Sequence, residues 1–276
     1  MSSQPHDCIA ALDIGNTRMK LGLFVRGDRG LPEAVRIEAC VIESCGQLLH
    51  ELRRWWSDLA EVRPRLLLAA GSDPDLRDEL AGCWPLEACE LRLVRSGTEL
   101  PVLADVDFPE RVGIDRLLNA IAARHWRMGT GPVIVVDSGT ATTVDLATSD
   151  GVFRGGSILP GLRLSARALH EYTARLPMLE VDDLAGEWPA VPGRNTVAAI
   201  RAGLLLGQLG AVRELIRHLG DSAERLFGES TSPELLVTGG GGRLLSEHLP
   251  GARFIDSLAL HALAFLGLTG WGRDVR

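Results

Sequence analysis

At 276 residues, 46% of them apolar, the chain is long enough for two domains of about 100–150 residues, each with its own core. A formal net charge of −7, with no basic tract, argues against nucleic acid or an anionic membrane as a partner. Five cysteines, at positions 8, 40, 45, 83 and 89, are an odd number without CxxC spacing, which points to reduced thiols in a cytoplasmic protein rather than to disulfides or a metal site.

In chain order, Met1 to Cys8 is short and polar and reads as carrying no secretory signal. Cys8 to Leu12 is an apolar run, Asp13-Ile-Gly-Asn-Thr17 is a cluster of turn formers, and Met19, Leu21 and Leu23 then alternate with Lys20, Gly22 and Phe24. That pattern predicts strand, tight turn, strand. Helical spacing follows over Gln47 to Ala60, a strand over Arg65 to Ala70, and helices over Asp75 to Gly82 and Arg116 to Trp126. Val133 to Val136 is a second buried-strand run, with a turn at Asp137-Ser-Gly-Thr140 and a returning strand over Thr143 to Ala147. A long apolar helix over Val197 to Leu219 carries Gly203, Gly207 and Gly210. The strand Glu234 to Thr238 runs into Gly239 to Gly242, with a helix from Arg243. Leu258 to Leu268 is too short for a bilayer and predicts a buried helix.

Aligning Asp13 with Asp137 also aligns Gly15 with Gly139 and Asn16 with Thr140, about a domain length apart. Glycine lets main chain approach a ligand, successive N–H groups can face phosphate oxygens, and an Asp at a strand end can hold a metal ion or its waters. One such tip is equally well an Asx-type turn. Two at this spacing favour a pair of phosphate loops. Lys20 is the chain's one lysine and suits a phosphate as a point charge. Asp115 stands at the start of a predicted helix, where position alone favours an N-cap.

The ordered set Asp13-Ile-Gly-Asn-Thr17 with Lys20, Gly113-Ile-Asp-Arg116, Val136-Asp-Ser-Gly-Thr-Ala-Thr142 with Asp145, Gly155 to Gly161, Leu176-Pro177, Gly193 to Thr196 and Thr238 to Gly241 resembles the signatures of type III pantothenate kinases, over roughly Ile9 to Leu268. The resemblance implies an α/β chain of two duplicated actin-like domains (the ribonuclease H-like superfamily of acetate and sugar kinases, Hsp70 and actin) with an ATP cleft between them. The domains are expected over residues 1–112 and 113–276, the second bearing the substrate pocket and dimer contacts. It implies ATP-dependent phosphorylation of pantothenate to 4'-phosphopantothenate, by a cytoplasmic homodimer that uses Mg²⁺ and a monovalent cation, K⁺ or NH₄⁺.

Carried over residue by residue, the resemblance makes Asp115 the general base. Asp13, Ile14, Gly15, Asn16, Thr17, Arg18, Met19, Lys20 and Thr140 become nucleotide contacts. Asp13 also becomes the Mg²⁺ site, through water, and Asp137 the monovalent-cation ligand. Val106, Gly113, Ile114, Asp115, Arg116 and Thr196 become substrate contacts, Thr196 reaching in from the other subunit. Val106 stands where the family usually has a tyrosine, and the chain's one tyrosine, Tyr172, lies elsewhere. That departure keeps another small-alcohol or sugar kinase open. A nucleotide-binding accessory factor is the third reading, against which stand the three acids Asp13, Asp115 and Asp137.

Overall fold

The computed structural model describes residues 8–15, 18–27, 30–42, 44–59, 63–71, 74–84, 89–184 and 186–271. Its first part holds strands β1 (Cys8–Ile14), β2 (Arg18–Arg26) and β3 (Pro32–Val41), helix α1 (Cys45–Ser57), strand β4 (Leu66–Gly71), helix α2 (Pro74–Gly82) and strand β5 (Glu90–Val94). Helix α3 (Ile114–Trp126) follows, then β6 (Val133–Ser138), β7 (Ala141–Ala147), β8 (Phe153–Pro160), α4 (Leu162–Glu171), α5 (Val181–Leu184), α6 (Thr196–Phe227), β9 (Glu234–Thr238), α7 (Gly242–Ser246), β10 (Ala252–Phe254) and α8 (Leu258–Leu268).

The strands form two sheets of one topology, ordered β3-β2-β1-β4-β5 and β8-β7-β6-β9-β10. In each, the central strand pairs antiparallel with the strand that follows it and parallel with the fourth. The outer pairs match as well, antiparallel for β2–β3 and β7–β8, parallel for β4–β5 and β9–β10. The repeat legible in the two Asp-x-Gly tips therefore extends through both sheets.

The central strands are apolar on both faces because both faces are covered. Ala10, Leu12 and Ile14 of β1 share a cluster with Met19, Leu21 and Leu23 of β2 and with Leu48, Leu52 and Trp55 of α1. Ile9, one residue out of phase, faces the other way toward α8, where a Cβ on Gly267 would overlap the Ile9 side chain. In the second sheet Ile134, Val136, Val144 and Leu146 pack with Leu209 and Val212 of α6. Helix α1 starts at the Ser44 cap, whose Oγ accepts the Gln47 N–H at 3.3 Å. Helix α6 starts at Asn195, whose Oδ1 accepts the Ala198 N–H at 2.9 Å. It runs past the expected end at Leu219 to Phe227 and stops at Gly228, left-handed with φ 71°.

The chain divides into two compact units. One comprises the residues up to 102, 107–125 and the stretch from 257 onward; the other comprises 103–106 and 126–256. Helices α3 and α8 thus group with the first sheet, where the sequence division at 112/113 places them with the second. The physical reason is apolar contact at glycines: α8 lies on β1 at Gly267, and α3 brings Leu117 onto Gly97.

None of the five cysteines is in a disulfide, and burial pushes the Cys89 thiol up to about 12. Among the described residues no group of three His, Cys, Asp or Glu side chains could hold a metal ion, and no helix is long and apolar enough to cross a membrane. Gly267→Val should overpack the α8–β1 contact and cost about 1–3 kcal/mol in urea unfolding; unchanged stability would show that Ile9 can move aside freely.

Candidate active site

The first hairpin puts Asp13 directly opposite Lys20 and Ile14 opposite Met19. Cross-strand partners share a face, so the lysine stands beside the acid near the hairpin end, both half-buried. The Gly15 N–H donates to the Arg18 carbonyl at 3.0 Å and closes the turn. Asn16 and Thr17 lie outside the described residues. Arg18 is exposed. Ile14 and Met19, expected beside the nucleotide, have 0% and 3% of their surface exposed and belong to the core, which leaves their main chain alone for any contact.

The second hairpin has the same construction. Asp137 is again the penultimate residue of its strand, opposite Thr143, and the Gly139 N–H donates to the Ala141 carbonyl at 3.0 Å. Gly139 and Thr140 are exposed at the tip, and Asp137 is half-buried. Helix α4 begins at Gly161, whose N–H donates to the Thr140 carbonyl at 3.0 Å and where a Cβ would strike the Gly139 and Thr140 carbonyls. Glycine at 161 is what lets the tip seat there.

The parallel neighbour of each central strand ends in glycine (β4) or runs directly into one (β9). Ala70 pairs with Asp13 and Gly71 with Ile14; Thr238 pairs with Asp137, and Gly239 follows. A Cβ on Gly71 would approach Ile14 Cβ to 2.8 Å. One on Gly239, at φ +88°, would lie 2.5 Å from both the Asp137 Oδ1 and the Ser138 carbonyl oxygen. A Cβ on Gly241 would lie 2.6 Å from the Ser138 Oγ, and the Gly241 N–H donates to the Ser138 carbonyl at 2.9 Å. The Gly242 N–H bonds the Gly239 carbonyl, and α7 has only five residues. Gly239, Gly241 and Gly242 therefore serve tight packing. Gly240 is exposed, and a Cβ there would meet nothing within 4 Å, so it is the open one. Sequence reading misses Gly71; its available signal is a glycine closing an apolar strand, as at Gly239.

Asp115 is exposed in the first turn of α3. It is not the cap. The Gly113 carbonyl accepts the N–H groups of Arg116 (3.1 Å) and Leu117 (3.3 Å), so the helix starts two residues before the expected Arg116. A Cβ on Gly113 would come within 2.5 Å of the Asp115 Oδ1, so glycine there gives the carboxylate room. Ile114 and Arg116 are half-buried. Thr196 is likewise not a cap, since Asn195 fills that place; it is the exposed first residue of α6. The first unit thus carries Asp13, Gly15, Lys20, Gly113, Asp115 and Arg116, and the second Val106, Asp137, Thr140 and Thr196.

A profile described as type III pantothenate kinase matches residues 9–218, more than half of the chain. The chain belongs to the type III pantothenate kinase family. A relative of that name from Dehalococcoides mccartyi is 32% identical over 263 residues, 90% of this chain and 91% of that protein. One from Rhodopirellula baltica is 48% identical over 147 residues, and that alignment spans 53% of this chain and 50% of the relative. Among solved structures, a Campylobacter jejuni protein provisionally classed as a Baf family transcriptional activator superposes with TM-score 0.58 at 16% identity, covering 94% of this chain and 98% of that one. A Listeria monocytogenes protein provisionally classed as an N-acetylmannosamine kinase gives 0.50 at 14%, covering 94% and 99%. At these identities the likeness shows the fold alone, which is the actin-like fold the resemblance implied.

The glycine seats separate by substitution. Gly239→Ala should cost at least about 2 kcal/mol, from positive φ and collision with Asp137 and Ser138. Gly240→Ala should stay within about 0.5 kcal/mol. Equal losses in urea unfolding would remove the packing role assigned to Gly239.

Proposed function

We propose that this chain transfers the γ-phosphoryl group of ATP to the hydroxyl of pantothenate, giving 4'-phosphopantothenate, the first step toward coenzyme A. Family membership supports the reaction. The observation that carries it to these residues is the doubled hairpin, with an acid at the penultimate strand position and a glycine turn in each unit. The residues fit a phosphate ligand: Gly139 and Thr140 are exposed, and Gly240 has open space beside it.

In this reading Gly15, Asn16, Thr17, Lys20 and Thr140 hold the ATP phosphates. Asp13 would hold Mg²⁺ through water, and Asp137 the monovalent cation, K⁺ or NH₄⁺. These ions supply neutralising charge to the phosphates. Lys20, opposite Asp13, adds a fixed positive charge on the same face of the hairpin. A carboxylate oxygen of Asp115 accepts the hydroxyl proton of the substrate as the phosphoryl group arrives. Gly113 leaves that carboxylate unobstructed, and Ile114, Arg116 and Val106 shape the pantothenate side. A cytoplasmic setting belongs to the same reading.

ADP release by the purified protein with ATP, Mg²⁺ and K⁺ should depend on added pantothenate. Asp115→Ala should lower kcat about 10²–10⁴-fold with nucleotide binding retained, and Asp137→Ala should abolish stimulation by K⁺ or NH₄⁺. Full turnover in the first variant sinks the general-base role; unchanged stimulation in the second moves the ion elsewhere.

The homodimer is proposed through α6. Ala199, Gly203, Gly207 and Ala211 recur every fourth residue and are all exposed, and a Cβ on Gly203, Gly207 or Gly210 would meet nothing within 4 Å. Such a stripe allows close approach of a second helix, and Thr196 at its start would then reach the partner's substrate. Light scattering should give twice the chain mass, and Gly207→Arg the single mass. A monomeric unaltered protein would end this part of the reading.

A further inference from the structure

Residues 103–106 are a short segment that joins the second unit, while the residues on either side of it, 102 and 107, belong to the first. The segment is held on β8 by main chain: the Phe153 N–H donates to the Leu103 carbonyl at 2.9 Å, and the Asp105 N–H to the Phe153 carbonyl at 3.0 Å. Ala104 and Phe153 thereby form an isolated parallel bridge.

The adjacent residue, Arg154, ties the segment down by its side chain. Its Nη1 donates to the Asp105 carboxylate, its Nε to the Thr148 Oγ1 at 3.1 Å, and its Nη2 lies 3.6 Å from Asp150 Oδ2. Its guanidinium stands 4.5 Å from the ring centroid of Phe227, at the end of α6. The Thr148 hydroxyl, donating to Asp150 at 2.6 Å, helps hold that carboxyl below the usual range, and Asp150 is the second acid that Arg154 faces. The arginine side chain is 17% exposed and that of Asp105 is 63% exposed. One residue beyond Asp105, Val106 lies against the next residue of β8: a Cβ on Gly155, at φ +86°, would meet Val106 Cγ1 at 3.4 Å.

A largely desolvated guanidinium is a poor source of fold stability, because its desolvation offsets much of the ion-pair energy. What the planar fork does well is fix orientation. We propose that Arg154 is a positioning residue for the substrate: by holding Asp105 it fixes the 103–106 segment and sets Val106 at the pantothenate pocket. This rests on the kinase reading above, in which Val106 contacts the substrate.

The test is steady-state kinetics on the full-length protein, varying pantothenate and ATP separately. Arg154→Gln should raise the KM for pantothenate about tenfold or more, since small misplacements of a binding group carry that cost. The KM for ATP and kcat should stay within about twofold, the pattern of lost substrate binding alone. Arg154→Lys, with charge but no fork, should recover part of the loss. Asp105→Asn should show the same split, and the double variant should be no worse than Arg154→Gln. If Arg154→Gln fails to fold, Asp105→Asn, which leaves Arg154 its Thr148 and Asp150 partners, carries the test. Turnover with an unchanged pantothenate KM, or equal rises in both KM values, overturns the positioning role alone. Absence of pantothenate-dependent turnover by the unaltered protein overturns the kinase reading and this proposal together.

Discussion

Main chain packed against main chain at the end of each central strand is the constraint on which the site depends. β1 and β6 each end at a glycine turn, with a returning strand on one side and, on the other, a parallel strand that reaches a glycine, Gly71 or Gly239. No side chain fits between Gly71 and Ile14, or between Gly239 and the Asp137–Ser138 pair. A Cβ there would force the strands apart and move the acid with them. The helices packed on the sheets bury the strands; the glycines set where the aspartates stand.

The same geometry bears on the proposed chemistry. The protein carries a formal charge of −7, yet in this reading it binds a polyanion. Phosphoryl transfer asks for positioning and charge neutralisation more than for covalent help. In this reading acids at Asp13 and Asp137 suit ions that supply positive charge, with Lys20 a fixed cation opposite Asp13. Asp115 is set apart from this group by its place on a helix, in a first turn whose capping carbonyl belongs to Gly113. An exposed carboxylate released from capping duty remains available to a substrate hydroxyl.

Legibility follows burial. Glu234–Thr238 and Leu258–Leu268 are legible to the residue because a buried strand and a buried helix are written mostly in apolar side chains. Strand β3 escapes sequence reading because it is an edge strand with most side chains exposed or half-buried, so no alternation marks it. Strand β8 escapes because Gly155 and Gly156 interrupt it and Pro160 ends it. The start of α3 is hidden because Gly113 looks like loop, and a glycine cap leaves no side-chain signature. Ile14 and Met19 flank the first hairpin's turn yet serve the core, since alternate residues of a strand point to opposite faces.

The sequence by itself determined the duplication, the two acid-bearing turns, the family and the main buried elements, because all of these are carried by residue type and short-range spacing. Tertiary structure alone decided which unit each segment joins, what the glycines at 71 and 267 pack against, and that Arg154 reaches back to Asp105. Those facts depend on side chains meeting across long stretches of chain, and nothing local in the sequence encodes which distant partner a glycine or an arginine will find.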